Sequence, residues 1–289
     1  MKQLFLLAGL PRSGSTLLGT ILNQNPNLYI PHTSSFVEIL WRNYSIWNEA
    51  SYAEDFMGNK MQQIKIPFLK KLFQSYFSEL TNKPIVIDKR RSWQSIDNIK
   101  MYKEIFGISP KIICCVRNIE EIVASYKTLH LKNNKLWNED ALKDNRFQNA
   151  LKDLQKTYNS KFKDCLLFIE YNSLVKQTQK TLNKIYDFIN QPSYLHDLNN
   201  IISIDPHKEV EKLYGLKGMF NVSKSIKKSN TNTNILTNEE YNDYSSKTFW
   251  KEFTKDINIK ESYQLDDIYH NGICDWKDAI KVTKDKYPK

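Results

Sequence analysis

The sequence predicts an α/β fold, an open parallel β-sheet flanked by helices on both faces. Short apolar runs at Gln3–Ala8, Pro84–Asp88, Lys111–Val116 and Cys165–Glu170 have the composition of strands buried on both sides. Stretches with helical spacing separate these runs. No internal repeat or long low-complexity linker interrupts the alternation. Right-handed crossovers would bring every strand's C-terminal end to one edge of the sheet, where such sheets bind ligands.

Taken in order, the first strand runs into a glycine-containing turn, Gly9–Gly14, and then a helix at Ser15–Gln24 that stops before Asn25-Pro26. Helical regions follow at Ser34–Trp47 and Met61–Leu80. The strand Pro84–Asp88 leads to a helix at Ser92–Phe106, and Lys111–Val116 to a helix at Ile119–Thr128. His130–Asn145 reads as a polar surface loop and Asn145–Lys161 as a helix. Cys165–Glu170 is the fourth strand, followed by a helix at Ser173–Ile189. Beyond Gln191-Pro192 the pattern weakens, but Thr237–Glu240 reads as a capping box opening a helix near Tyr241–Phe253.

With 289 residues, 40% of them hydrophobic and 26% charged, the chain can build a substantial core. One domain is expected over 1–289, with a core at about 3–225 and a helical extension at about 235–289. The longest apolar stretch, Leu4–Leu10, is far shorter than the roughly 20 residues of a membrane-spanning helix. Arg12 follows it at once and no small-x-small cleavage site is in place, so the expectation is a cytoplasmic protein without a signal peptide. The four cysteines lack zinc spacing and read as small buried hydrophobes. Adjacent Cys114 and Cys115 should face opposite sides of a strand.

The net charge of +10 favours anionic partners. It comes from 36 Lys and only 6 Arg, alongside 28 Asn. A Lys/Asn/Ile bias is what an AT-rich genome produces, so the charge reads equally as background or as function. The few arginines are then the more informative cations.

The first strand ends in Gly9-Leu-Pro-Arg-Ser-Gly-Ser-Thr16, the frame G-x-x-x-x-G-x-[ST] of a phosphate-binding loop between strand and helix. Backbone N–H groups from Ser13 to Thr16 lack helical partners and can face an anion. Ser15 stands where a nucleotide-hydrolysing enzyme carries lysine, and Arg12 supplies a cation within the loop instead. A tight turn without a ligand would use the same frame. The third strand ends in Cys115-Val-Arg117, with Ser125 eight residues on in the next helix. Arg117 and Ser125 can surround one phosphate, or Arg117 can simply pair with Glu120 or Glu121.

Together LAGLPRSGSTLL and CCVRNIEEIVASY resemble the 5′-phosphosulfate loop and the 3′-phosphate strand–helix step of the family of sulfotransferases that use 3′-phosphoadenosine 5′-phosphosulfate (PAPS). Phe168–Val175 resembles that family's strand-to-helix step, and Leu213–Lys224 its late loop over the adenosine. The resemblance spans about residues 3–225 and implies the P-loop nucleotide-kinase-like sulfotransferase fold. It implies that Arg12, Ser13, Gly14, Ser15 and Thr16 hold the 5′-phosphosulfate and that Arg117 and Ser125 hold the 3′-phosphate. It also implies that Lys89 contacts the bridging oxygen and that Gly218 and Lys224 lie near the nucleotide.

The reaction implied is in-line attack of an acceptor hydroxyl or amine on sulfur, with 3′,5′-ADP leaving and no metal required. Lys89 and Arg12 would stabilise the charge growing on the bridging oxygen. The general base departs from the family pattern, because Thr33 and Arg90–Trp93 stand where its branches carry Glu or His. His32 is the first candidate, then Glu38 and Asp88. His130, His196, His207 and His270 fit no motif. Trp41, Tyr44, Trp47 and Tyr52 could pack a helix or line an acceptor pocket. Lys224, Lys227 and Lys228 could be solvated or touch nucleotide. The expected acceptor is a small molecule, glycan or peptide. Membrane and nucleic acid are not expected partners, and oligomeric state is not legible. Rival readings are a catalytically silent nucleotide- or nucleic-acid-binding relative and a P-loop small-molecule kinase.

Overall fold

A computed structural model of the chain describes residues 2–47, 59–137, 145–202, 211–212, 215–226, 232–245 and 248–253. The chain divides into two compact units, 1–250 and 251–289, and all but three residues of the second lie outside the described ones.

The first unit is an α/β fold. Its sheet has five strands, β1 (Gln3–Gly9), β2 (Leu28–Tyr29), β3 (Ile85–Lys89), β4 (Ile112–Val116) and β5 (Leu166–Glu170). All pair in parallel, in the order β2-β3-β1-β4-β5. The central β1 therefore has β3 on one side and β4 on the other, and all three present their C-terminal ends at one edge. Side-chain alternation sorts each strand between two cores. Leu4, Leu6 and Ala8 of β1 and Ile112, Cys114 and Val116 of β4 face one side. Helices α2 (Phe36–Ile46), α3 (Asn59–Leu80), α4 (Ile96–Phe106), α5 (Ile119–Lys132) and α6 (Asn145–Tyr158) cover that side. Leu7, Ile113 and Cys115 face the other, under α1 (Ser15–Leu22), α7 (Tyr171–Lys176) and α8 (Thr178–Phe188). Cys114 and Cys115 thus point to opposite faces, and both thiols are pushed up by burial.

Five details differ from the sequence expectation. The two-residue β2 is too short to leave an apolar run. The helix expected over Ser92–Phe106 is a 3₁₀ turn, Arg91–Gln94, followed by α4. Ser95 separates them, because its extended backbone and side chain cap α4 at the N–H of Asn98. The helix expected over Ser173–Ile189 breaks at Gln177, and α5 runs four residues past Thr128 into the expected loop. The capping box is present: Glu240 N–H donates to Thr237 Oγ1 (3.1 Å) and Thr237 N–H to Glu240 Oε2 (2.7 Å). It opens α9 at Asn238–Ser245, earlier than expected. Most of the expected extension beyond lies outside the described residues.

Trp41 and Tyr44 pack against the first core and Trp47 is buried with its ring 6.4 Å from that of Phe68, whereas Tyr52 lies outside the described residues. No described helix is long and apolar enough to cross a membrane.

Candidate functional site

A cavity of about 860 Å³ opens at the C-terminal ends of β1, β3 and β4. Its floor begins at Gly9, where β1 and β4 approach so closely that an added Cβ would lie 2.1 Å from the Cys115 carbonyl oxygen. Gly9 has φ +113°, and only glycine meets both demands without strain. The chain then turns through Arg12, a non-glycine residue in the left-handed region at φ 58°, and Gly14 at φ 92°. Gly14 caps α1 with no side-chain bond, and Leu18 N–H is the first to find a helical acceptor, at Gly14 (2.9 Å). The N–H groups of Ser15, Thr16 and Leu17 precede it, which leaves donors and the positive end of the helix dipole at the cavity.

Arg12 Nε donates to Ser125 Oγ (3.2 Å) and its Nη1 to the Met219 carbonyl. Arg117, 6% exposed, donates to the Arg12 carbonyl (3.4 Å) and to Glu121 (2.8 Å) and lies 4.1 Å above the Tyr171 ring. Tyr171 is close to the loop on its other side, since a Cβ on Gly14 would meet its ring at 2.6 Å. The loop after β1 and the end of β4 are therefore one constellation. Burial lowers the Arg12 pKa, and the nearby Arg117 pushes it the same way.

From β3, Lys89 Nζ donates to Thr16 Oγ1 (3.1 Å). Burial pulls its pKa down to about 7, and Arg91 adds to the shift. Thr16, Ser15, Gly14, Arg117 and Ser125 all line the cavity with Arg12 and Lys89. Ser13 is buried and turns its hydroxyl to the Leu10 carbonyl, so only its backbone remains for a ligand. Gly218 and Lys224 are not among the lining residues. Gly218 N–H is bound to Glu211 (3.0 Å), and Lys224 is exposed. Their neighbours Leu216, Met219, Phe220, Asn221, Val222 and Ser225 do line the cavity.

Of the three base candidates, His32 lines the cavity, its ring edge-on to Phe220 at 5.3 Å. Glu38 does not; it accepts from Arg90 (2.7 Å) and Ser92 (3.3 Å). Asp88 is fully buried on the opposite face of β3 from Lys89, accepting from Trp93 Nε1 (2.6 Å), and burial raises its pKa to about 6. His196 is a buried packing residue beside Tyr186 (3.0 Å), while His207, His270, Lys227 and Lys228 lie outside the described residues.

Several lining residues carry no motif: His130, Lys132, and the pair Arg90 and Arg91. Arginine scarcity is the signal that finds the pair, since four of the six arginines (12, 90, 91 and 117) line this one cavity. Among the described residues its lining holds six Lys or Arg side chains and not one carboxylate. No three metal-ligating side chains are gathered among the described residues. The donor set fits a polyanion carrying more than one phosphate-like group.

A model described as the sulfotransferase family matches residues 5–195. The solved sulfotransferase domain of the Synechococcus PCC 7002 olefin synthase aligns at TM-score 0.52 and 21% identity, covering 89% of this chain and 96% of that one. A sulfotransferase domain from the curacin biosynthetic pathway shares 16% identity over 86% of each chain at TM-score 0.41. A sulfotransferase from Alicyclobacillus acidocaldarius shares 11%, over 74% of this chain and 92% of its own, at TM-score 0.46. The first of these supports a shared fold. No curated protein matches this chain.

Proposed function

Because this chain belongs to the sulfotransferase family, we propose that it transfers a sulfonate from PAPS to an acceptor hydroxyl or amine and releases 3′,5′-ADP. The observation that carries this reading is the cavity wall, six cations and no described carboxylate at the edge where β1, β3 and β4 end. PAPS brings an already activated sulfonate, so the residues need only bind, orient and neutralise.

The N–H groups at the start of α1, with Arg12 and Thr16, hold the 5′-phosphosulfate. Arg117 and Ser125 hold the 3′-phosphate. The contacts Arg12–Ser125 and Arg117–Arg12 explain how one ligand spans both. In the transfer, a bond forms between the acceptor oxygen or nitrogen and sulfur. The bond from sulfur to the bridging oxygen breaks, and its electron pair stays on the 5′-phosphate. Lys89, as ammonium, stabilises that charge, and a bound polyanion raises its depressed pKa so that the ammonium persists. His32 takes the acceptor proton. It is favoured over Glu38, engaged by Arg90 and Ser92, and over Asp88, which faces away.

The test is calorimetry with 3′,5′-ADP and with 5′-ADP. Tight binding of the first, at least tenfold weaker binding of the second, and collapse of the difference in Arg117→Ala are expected. Equal affinities, or no binding, would overturn the reading.

A further inference from the structure

Arg12, Lys89 and Arg117 serve the donor, yet the same cavity holds further cations. Arg90 and Arg91 follow Lys89 beyond the end of β3, and β3 and β4 lie on opposite sides of β1. They are thus on the other side of the loop from Arg117, beside the segment carrying His32 and Thr33, where an acceptor must approach. Backbone pairing fixes this segment: Arg90 N–H donates to Leu7 (3.0 Å) and Ser34 N–H to Lys89 (3.1 Å). Arg90 is extended, so Arg91 returns to the side of Lys89 while Arg90 turns to Glu38.

Arg91 is exposed to solvent and no described carboxylate pairs with it. The turn that it opens is nonetheless anchored. Two residues on, Trp93 is fully buried and bonded to Asp88 (2.6 Å). Next to it, Gln94 accepts from Gly9 N–H (2.9 Å), donates to Ala150 (2.6 Å) and through its carbonyl accepts from Thr157 (2.6 Å). A rotamer-rich cation on an anchored turn, facing an already positive cavity, raises the repulsion at the site until a second anion arrives. Its field also reaches the Lys89 ammonium.

Resting on the sulfotransferase reading, we propose that the acceptor is a small molecule bearing its own oxyanion, a carboxylate or a phosphate or sulfate ester, which Arg91 binds while the acceptor hydroxyl or amine meets His32. The bidentate guanidinium fork suits any of these oxyanions, and a neutral or cationic acceptor would offer it no partner.

The test uses the full chain saturated with 3′,5′-ADP, so that donor binding is established first. Affinities of three matched phenols are then measured by ligand-observed NMR: 3-(4-hydroxyphenyl)propanoate, 4-propylphenol and tyramine. The carboxylate is expected to bind at least about tenfold more tightly than the neutral phenol, with tyramine weakest. Arg91→Ala should remove the preference, Arg91→Glu invert it and Arg91→Lys restore part of it. Each variant is first titrated with 3′,5′-ADP, which reports folding and sets the concentration that keeps the donor site saturated. Equal affinities for the three probes, no detectable binding of the carboxylate, or a preference that survives Arg91→Glu would overturn the proposal. Failure of 3′,5′-ADP to bind the unaltered chain strikes the donor reading instead.

Discussion

On the sheet side of the cavity, Lys89 and Arg117 hang from or just beyond strands whose backbones are held in parallel ladders, and Arg12 rides the loop that β1 feeds into α1. The other contribution, residues 216–226, belongs to no strand. It is held by polar clips: Glu211 accepts from Gly218 and Phe220 N–H (3.0 Å each), Asn133 bonds Lys217 N–H and its carbonyl, and the Met219 carbonyl takes a bond from Arg12. The strand-borne cations have their direction set by backbone periodicity. The late segment has side-chain clips and a few single backbone bonds, such as Ile201 N–H to the Lys224 carbonyl (2.6 Å) and Ile226 N–H to the Leu198 carbonyl (3.2 Å), in place of a ladder. The first should respond to mutation by losing function or fold outright, and the second by small losses of affinity.

The contrast is sharpest at Gly9. Gly9→Ala puts a methyl carbon into the backbone of β4, and a loss of roughly 3 kcal/mol or more in unfolding free energy is expected by denaturant titration. Next come the two arginines. Arg12→Ala and Arg117→Ala are each expected to weaken 3′,5′-ADP about a hundredfold by calorimetry. Only Arg117→Ala should also cost stability, about 1–3 kcal/mol, because it leaves the half-buried Glu121 without its cation. Adding Glu121→Gln should recover most of that stability and none of the affinity.

A smaller effect is expected from pH. In the free protein Lys89 loses its proton near pH 7, and a bound polyanion favours the protonated form. Affinity for 3′,5′-ADP should therefore be highest below pH 7 and fall, by at most about tenfold per unit, as pH rises above it. Calorimetry in buffers of different ionisation heat should show proton uptake, absent in Lys89→Met. The smallest effect belongs to the late segment. Glu211→Ala removes the carboxylate that accepts from two backbone N–H groups and should weaken 3′,5′-ADP only about threefold, leaving the melting temperature within a few degrees. A loss there as large as that in Arg12→Ala would erase the distinction between the two contributions.

The same distinction explains what could be read in advance. The parallel sheet, the loop Gly9–Thr16 and the positions of Lys89 and Arg117 follow from local chemistry: apolar runs, a glycine frame, a cation just after a strand. β2 was invisible because two residues make no pattern. The turn at Arg91–Gln94 looked helical because the signal that splits it is one serine with extended backbone. Ser13 is a loop residue expected to hold the phosphosulfate, and nothing in the sequence says that its hydroxyl turns toward Leu10 and leaves only its backbone for a ligand. The late segment meets the loop through the Met219 carbonyl, whose partner Arg12 is more than 200 residues away in the chain, so the contact leaves no local mark.

Asp88 and Lys89 are chain neighbours with opposite fates, one sealed against Trp93 and the other lining the cavity beside Thr16. Which fate goes to which residue is a matter of odd and even. Deleting or inserting one residue within β3 would turn the carboxylate toward the anion and thrust the ammonium among aromatic rings. The charge sign of this pocket is thus written in strand parity, and length changes in β3 should be as damaging as any substitution.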